Sequence, residues 1–136
     1  MVDKRKAQEW LENKYSNKDE VVIERKFNEN IELEGELKID GYLRLRKISL
    51  GQTKGITKLT ITNCPEVEVI FVNDNKITHI EGLRDLIKLK KLNFSRNEIT
   101  EIDISENKQL EMLNFYEISP ELKFTNGLKN LSRLFL

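Results

Sequence analysis

The chain has 136 residues, a length suited to one domain, and its 38% hydrophobic and 34% charged residues argue against a disordered polypeptide. Its 23 Lys plus Arg equal its 23 Asp plus Glu, so no net field draws it toward nucleic acid or an anionic membrane. No run of about 18 apolar residues suggests a membrane span. The start "MVDKRKAQEW" lacks the apolar core of a secretory signal, and one cysteine excludes an internal disulfide framework, so cytoplasmic residence is the simplest expectation.

In chain order, Asp3 to Tyr15 reads as a helix with Asp3 as N-cap, because Ala7, Trp10, Leu11 and Tyr15 share one helical face. "SNKDE" (16–20) is the turn after it. Val21 to Phe27 is the expected first strand, set beside Leu45–Leu50, and "LEGELKIDG" is expected to cross behind it.

From Leu45 onward neither a helical nor a simple strand period holds. Leu89, Leu92, Phe94, Asn97 and Ile99 are preceded 22 residues earlier by Val67, Ile70, Val72, Asn75 and Ile77. They are followed 21 residues later by Leu110, Leu113, Phe115 and Ile118. A further 22 back stand Leu45, Ile48, Leu50 and Thr53, and 21 beyond Leu110 stand Leu131, Leu134 and Leu136. The second half of the unit repeats too: Ile56, Leu59, Ile61 and Val67 return 43 residues later as Ile99, Ile102, Ile104 and Leu110. Leu37 and Ile39 precede Leu59 and Ile61 by 22.

Each unit is one coil of a solenoid, a short strand and a return segment. It cannot bury its apolar face alone, and stacking makes one continuous core. About six parallel strands would make a sheet on the order of 25 Å long. Asn75 and Asn97 are expected to point inward and satisfy backbone groups where the chain leaves the strand.

The spacing resembles the leucine-rich repeat pattern L-x-x-L-x-L-x-x-N/C-x-L, over roughly 20–29 residues, tightly at 67–77 and 89–99 and more loosely at 45–55 and 110–120. "AQEWLENKY" followed by repeats, and the tail "NGLKNLSRLFL", are similar to short members of that group. The resemblance implies an α/β solenoid: a right-handed leucine-rich repeat superhelix with a parallel concave sheet and an N-terminal capping helix. Residues 1–20 would form the cap and its turn, and 21–136 about five repeats plus a truncated last one. Leu131 to Leu136 begins a strand with no return segment, so a truncated or partial array is expected there, its edge covered by more repeats or another chain.

Residues flanking the inward Leu of each strand would face the concave surface. The expected rows are Lys47, Val69, Lys91, Met112 and Arg133; then Ser49, Phe71, Asn93, Asn114 and Phe135; then Gly51, Asn73, Ser95 and Tyr116. Apolar and aromatic side chains there mark an interaction surface, with Lys47, Lys91 and Arg133 as a basic edge. The candidate partner-binding residues are Lys47, Val69, Phe71, Lys91, Asn93, Met112, Asn114, Tyr116 and Arg133. A register slip of one residue would instead put them in the core.

Other residues carry plainer readings. Cys64 in "TNCPEV" fits a small buried thiol in a turn, and His79 a solvated residue on the convex side. One His and one Cys make no usual zinc site. Asp74 and Asp103 fit solvated turns, and no calcium-loop or phosphate-cradling glycine spacing occurs. Trp10 and Phe27 are expected in the core of the cap. No acid–base or nucleophile set is visible, so no enzyme and no cofactor are expected.

The leading expectation is a non-catalytic module that binds a protein or peptide through the concave sheet, with no nucleic acid and no membrane partner. The alternative is a structural or autoregulatory repeat segment of a longer protein.

Overall fold

The computed structural model describes residues 2–118, together with strand positions 123–124 and 133–135. Strand β1 (Asp3–Lys6) leads directly into helix α1 (Ala7–Lys14), the single helix of this length among the described residues. The following strands are β2 (Val22–Glu24), β3 (Ile31–Asp40), β4 (Lys47–Ser49), β5 (Lys54–Thr62) and β6 (Val69–Phe71). Next come β7 (His79–Glu81), a 3-10 turn at Leu83–Asp85, β8 (Lys91–Asn93), β9 (Glu101–Ile102), β10 (Met112–Asn114), β11 (Lys123–Phe124) and β12 (Arg133–Phe135).

The strands stack as a parallel solenoid of about four turns. A front sheet has the order β12-β10-β8-β6-β4-β2, and a back sheet the order β1-β3-β5-β7, with β9 and β11 paired beyond it. The return segments are therefore extended or irregular rather than helical, so the structure is a β-solenoid with one helix, where an α/β solenoid was expected.

Every described front strand is three residues long, and in β2, β4, β6, β8 and β10 only the middle residue is fully buried. Those middle residues, Ile23, Ile48, Ile70, Leu92 and Leu113, lie directly opposite one another across the ladder. Leu45, Val67, Leu89 and Leu110 enter each strand and Leu50, Val72 and Phe94 leave it, all buried. Leu37, Ile39, Leu59 and Ile61 close the core from the back. Each such side chain contributes on the order of 1.5–3 kcal/mol on burial. The rows are continuous, so no coil holds a core of its own.

The two inward asparagines join successive coils. Asn97 Nδ2 donates to Phe94 O of its own coil at 3.0 Å and to Val72 O of the preceding coil at 2.9 Å. Its Oδ1 accepts from Ile77 N at 2.9 Å. Asn75 repeats the arrangement with Val72 O, Leu50 O and Ile56 N. Thr53 stands one coil earlier: its hydroxyl donates to Asn75 Oδ1 at 2.5 Å and lies 3.3 Å from Leu50 O. These are the backbone groups that a turn off a short strand strands inside the core, where leaving them unpaired is costly.

The N-terminal coil departs from expectation in several ways. The helix begins at Ala7 with Lys6 at the N-cap, and Asp3 is no cap but the start of a strand, bonded to Arg5 through its carboxylate. The reason is the free edge of β3. Residues 3–6 pair with 31–34 of β3, and the chain then rises into a helix whose Gln8 takes over further along that edge. Gln8 Oε1 accepts from Lys38 N at 2.7 Å and Gln8 Nε2 donates to Lys38 O at 3.2 Å, a side chain acting as a strand. Ala7, Trp10, Leu11 and Tyr15 are buried, as the helical period predicts.

The first strand is Val22–Glu24, shorter than Val21–Phe27, and Ile23 pairs with Ile48, a step of 25 rather than 22. The extra residues form a turn in which Glu29 N donates to Lys26 O, and Phe27 stands outside it, 92% exposed. The expectation that Phe27 belongs to the core of the cap is thus wrong, whereas Trp10 is buried.

Candidate functional site

The front strands set the candidate surface. Alternation along a three-residue strand sends the first and third side chains away from the core. Pairing places Lys47, Val69, Lys91, Met112 and Arg133 straight across from one another. Ser49, Phe71, Asn93, Asn114 and Phe135 form the second row in the same way. Val22 and Glu24 extend the two rows onto β2, positions absent from the expected rows because the longer first step hides them from a 22-residue count. The side chains of Arg133 and Phe135, and the expected chain end from Leu131 to Leu136, lie outside the described residues, apart from the strand pairing of 133–135.

Within the rows Lys91 is exposed, while Lys47, Val69, Phe71, Asn93, Met112 and Asn114 are half-buried. Lys47 Nζ stands 5.6 Å from the centre of the Phe71 ring. The third row is less uniform. Tyr116 is 48% exposed with the Arg96 guanidinium 5.9 Å from its ring, but Ser95 is buried. Ser95 is drawn in because its N and Oγ both donate to Asn93 Oδ1, at 3.0 and 2.8 Å. Asn73 fills the space over Gly51, where a Cβ would meet its Oδ1.

Charged ladders border the rows on both sides. Before the strands, Glu68 accepts from Arg46 at 2.6 Å and lies 3.4 Å from Lys90 Nζ, and Lys88 pairs with Glu66. The hydrogen bond from Arg46 holds the Glu68 carboxyl below the usual carboxylate range, with the Lys90 charge adding to it. After the strands, Arg96 joins Glu117 at 2.9 Å and Asp74 at 3.5 Å, which raises the Arg96 pKa. Asp74 is thus half of an ion pair rather than simply solvated.

A feature of the same border escaped the sequence reading. Gln52, Asp74, Arg96 and Glu117, at steps of 22, 22 and 21, all have left-handed backbone with φ between 52° and 59°. None is glycine, so each carries a cost of about 1–2 kcal/mol. The turn is held by inter-coil hydrogen bonds: Gln52 N donates to Asn73 O, Asp74 N to Ser95 O and Arg96 N to Tyr116 O. In the first coil this role passes to Arg25, whose guanidinium donates to Glu29 O, Gly51 O and Gln52 O. A lone arginine in "IERKF" carries no sequence signal for such a role.

Deeper hollows lie off the front rows. A cavity of about 620 Å³ runs between α1 and the back sheet past Trp10, Lys14 and Ile31. Another of about 400 Å³ adjoins Phe27, Arg25 and Gln52. Cys64 is buried, its Sγ 3.2 Å from Thr62 O, and burial raises its thiol pKa, which makes it a poor nucleophile. His79 is exposed in β7 with Nδ1 2.9 Å from the Thr78 hydroxyl, and Asp103 Oδ1 accepts from Ser105 N and Oγ. Among the described residues no group of three or more His, Cys, Asp or Glu side chains could hold a metal ion, and no helix is long and apolar enough to cross a membrane.

No family model, curated protein or solved structure matches this chain.

Proposed function

We propose that the chain is a leucine-rich repeat module that holds a protein segment on its front sheet and carries out no chemistry of its own. The leucine-rich repeat reading is supported by steps of 21 and 22 residues and by asparagines bonded between coils at the position where the pattern has Asn. The binding reading is carried by one observation: Val69, Phe71 and Met112 lie within rows that also present Lys47 and Lys91, on strands fixed at both faces of the ladder. Rigid presentation limits the ordering cost of association, and aromatic and Met side chains are favoured at interface centres. Lys47, Asn93, Asn114, Tyr116 and Arg133 complete the proposed surface.

The test is affinity capture from extract with the intact protein and with a Phe71→Asp/Tyr116→Asp variant. The variant is expected to lose the captured partner while its far-ultraviolet circular dichroism stays that of the parent. Capture that is unchanged would remove the front sheet as the binding surface.

A further inference from the structure

Beyond Glu24 at the β2 end, the front rows from β4 to β10 have a chemical bias that their apolar content obscures: they present donors and few acceptors. Among the described residues, Lys47 and Lys91 have no carboxylate within ion-pair distance, although the adjoining Arg46, Lys90 and Arg96 are all paired. The neighbouring ladders are already neutralised, so they do not compete for an incoming anion. Asn93 and Asn114 add to the bias. Each turns its carbonyl oxygen onto the backbone N–H two residues ahead, Ser95 at 3.0 Å and Tyr116 at 3.1 Å. Asn93 Oδ1 accepts from the Ser95 hydroxyl as well, so both its lone pairs are used, and Asn114 Oδ1 has one of its two taken. Their Nδ2 groups have no protein partner among the described residues. A surface that offers ammonium and amide donors is complementary to a ligand rich in carboxylates and free carbonyl oxygens.

The spacing narrows the ligand. Lys47 and Lys91 lie on β4 and β8, with Val69 of β6 directly between them. Parallel strands are about 4.8 Å apart, so the two positions are separated by about 9.6 Å along the stack. Arg133 continues the same register two strands beyond Lys91, through Met112. A polyproline II chain rises about 3.1 Å per residue with three residues per turn, returning a side chain to one face every 9.3 Å or so. An α-helix meets the spacing less well, at about 10.5 Å for positions seven apart, and a β-strand returns to one face every two residues, about 6.8 Å. Polyproline II backbone also leaves its carbonyls without internal hydrogen bonds, which suits the free Asn93 and Asn114 amides, and such chains dock against aromatic side chains, a part Phe71 can take here.

Building on the interaction reading above, we propose that the front sheet takes an acidic polyproline II segment. It lies along the stack, across the strands. Carboxylates at every third residue meet Lys47 and Lys91, and the residues between them pack on Val69 and Phe71.

The test uses fluorescein-labelled peptides and anisotropy with the full chain. The probes are four Glu-Pro-Pro repeats, four Lys-Pro-Pro repeats, and six Glu-Pro repeats, which place carboxylates at every second residue. A thymidine oligonucleotide of equal length stands for nucleic acid. The Glu-Pro-Pro probe is expected to bind, and to weaken when salt rises from roughly 50 to 300 mM. Lys47→Glu/Lys91→Glu is expected to weaken it by about tenfold or more and to gain the Lys-Pro-Pro probe. Lys47→Gln/Lys91→Gln, which introduces no new charge, is expected to lose the acidic probe alone and serves if the double reversal does not fold. Equal binding of the Glu-Pro probe or the oligonucleotide, unchanged affinity in the lysine variants, or no binding of Glu-Pro-Pro by the parent would each overturn the proposal. Partner loss in the Phe71/Tyr116 variant together with no Glu-Pro-Pro binding would leave the interaction surface standing and remove only the acidic segment.

Discussion

The front and back of the solenoid are made from the same coils but to different tolerances. The described front strands are each three residues long, and from β4 to β10 they recur at steps of 22, 22 and 21. The back strands shrink from 10 residues in β3 and 9 in β5 to 3 in β7 and 2 in β9. The front must repeat because its strands, its inward asparagines and its left-handed turns are each hydrogen-bonded to the neighbouring coil in the same way from coil to coil. The back has only to return the chain, and different local solutions do so. A surface meant to present side chains at fixed intervals belongs on the front.

The largest expected effect of substitution lies on the back, where a Cβ at Gly82 would come closer to the neighbouring coil than one at Gly55. Gly82 has φ of +99°, and a Cβ there would lie 1.9 Å from Ile61 O of the preceding coil. Backbone cannot yield as a side-chain tip can. Gly82→Ala is expected to cost roughly 3–5 kcal/mol, combining left-handed strain with overpacking, as read from urea unfolding. A loss under about 1 kcal/mol would mean that the back accommodates change even here.

Next comes Asn97→Ala on the front. It takes the amide from Phe94 O and Ile77 N in the core and leaves Val72 O with Asn75 Nδ2 alone, a loss of about 3 kcal/mol by the same measurement. Thr53→Ala, which removes one hydroxyl donor to Asn75 Oδ1, is expected to cost only about 1 kcal/mol. Equal losses would show that the asparagine is no better a joint between coils than the threonine in its place.

This contrast also explains what could be read beforehand. The front was legible because a repeated physical demand writes a repeated residue. Leu45, Val67, Leu89 and Leu110 face one environment, and Asn75 and Asn97 one set of stranded carbonyls. The left-handed turn repeats equally well in space but was invisible, because Gln52, Asp74, Arg96 and Glu117 share no chemistry. Their conformation is imposed by closure of the coil rather than chosen by the side chain. Phe27 was misplaced because a step of 25 looks like noise beside steps of 22. Asn107 stands outside the repeated positions, yet it is buried, with its amide donating to Leu83 O and Leu86 O across a coil. The repeat of Leu37 and Ile39 as Leu59 and Ile61 marks the back of the coil as periodic, but a few inward positions per coil say nothing of the length over which β3 and β5 pair.

A smaller effect with an unusual sign tests whether closure, not side chain, sets that turn. Gln52 is exposed, its φ is 59°, and no side-chain hydrogen bond is recorded for it among the described residues. Gln52→Gly relieves left-handed strain and adds freedom to the unfolded chain, so the opposing terms leave a gain of about 0.5 kcal/mol. The same change at Arg96 would forfeit its ion pairs with Asp74 and Glu117 and is expected to gain less. Destabilisation by Gln52→Gly would place the preference in the side chain after all.

The smallest effect separates how front and back hold their carboxylates. Glu68, beside the front, has its pKa lowered by the hydrogen bond and charge of Arg46 and then by Lys90. Asp40, at the end of β3, has its pKa lowered chiefly by neutral donors, Asn63 Nδ2 at 2.9 Å and Thr62 Oγ1 at 2.7 Å. In both cases the unfolded chain binds the proton more readily, so stability is present above the ordinary carboxylate range, about 4, and is lost as the pH falls through the lower folded value. Glu68→Gln and Asp40→Asn should each flatten the acid limb of the melting-temperature profile slightly, and the difference from the parent should close at low pH. Salt then divides them. Screening weakens the Arg46 and Lys90 contribution, so the Glu68 difference should shrink at high ionic strength while that of Asp40 persists. A salt response of equal size at both positions would mean that the long-range charges around Asp40, Lys38 and Lys18, outweigh its hydrogen bonds, and that the front and back are held alike.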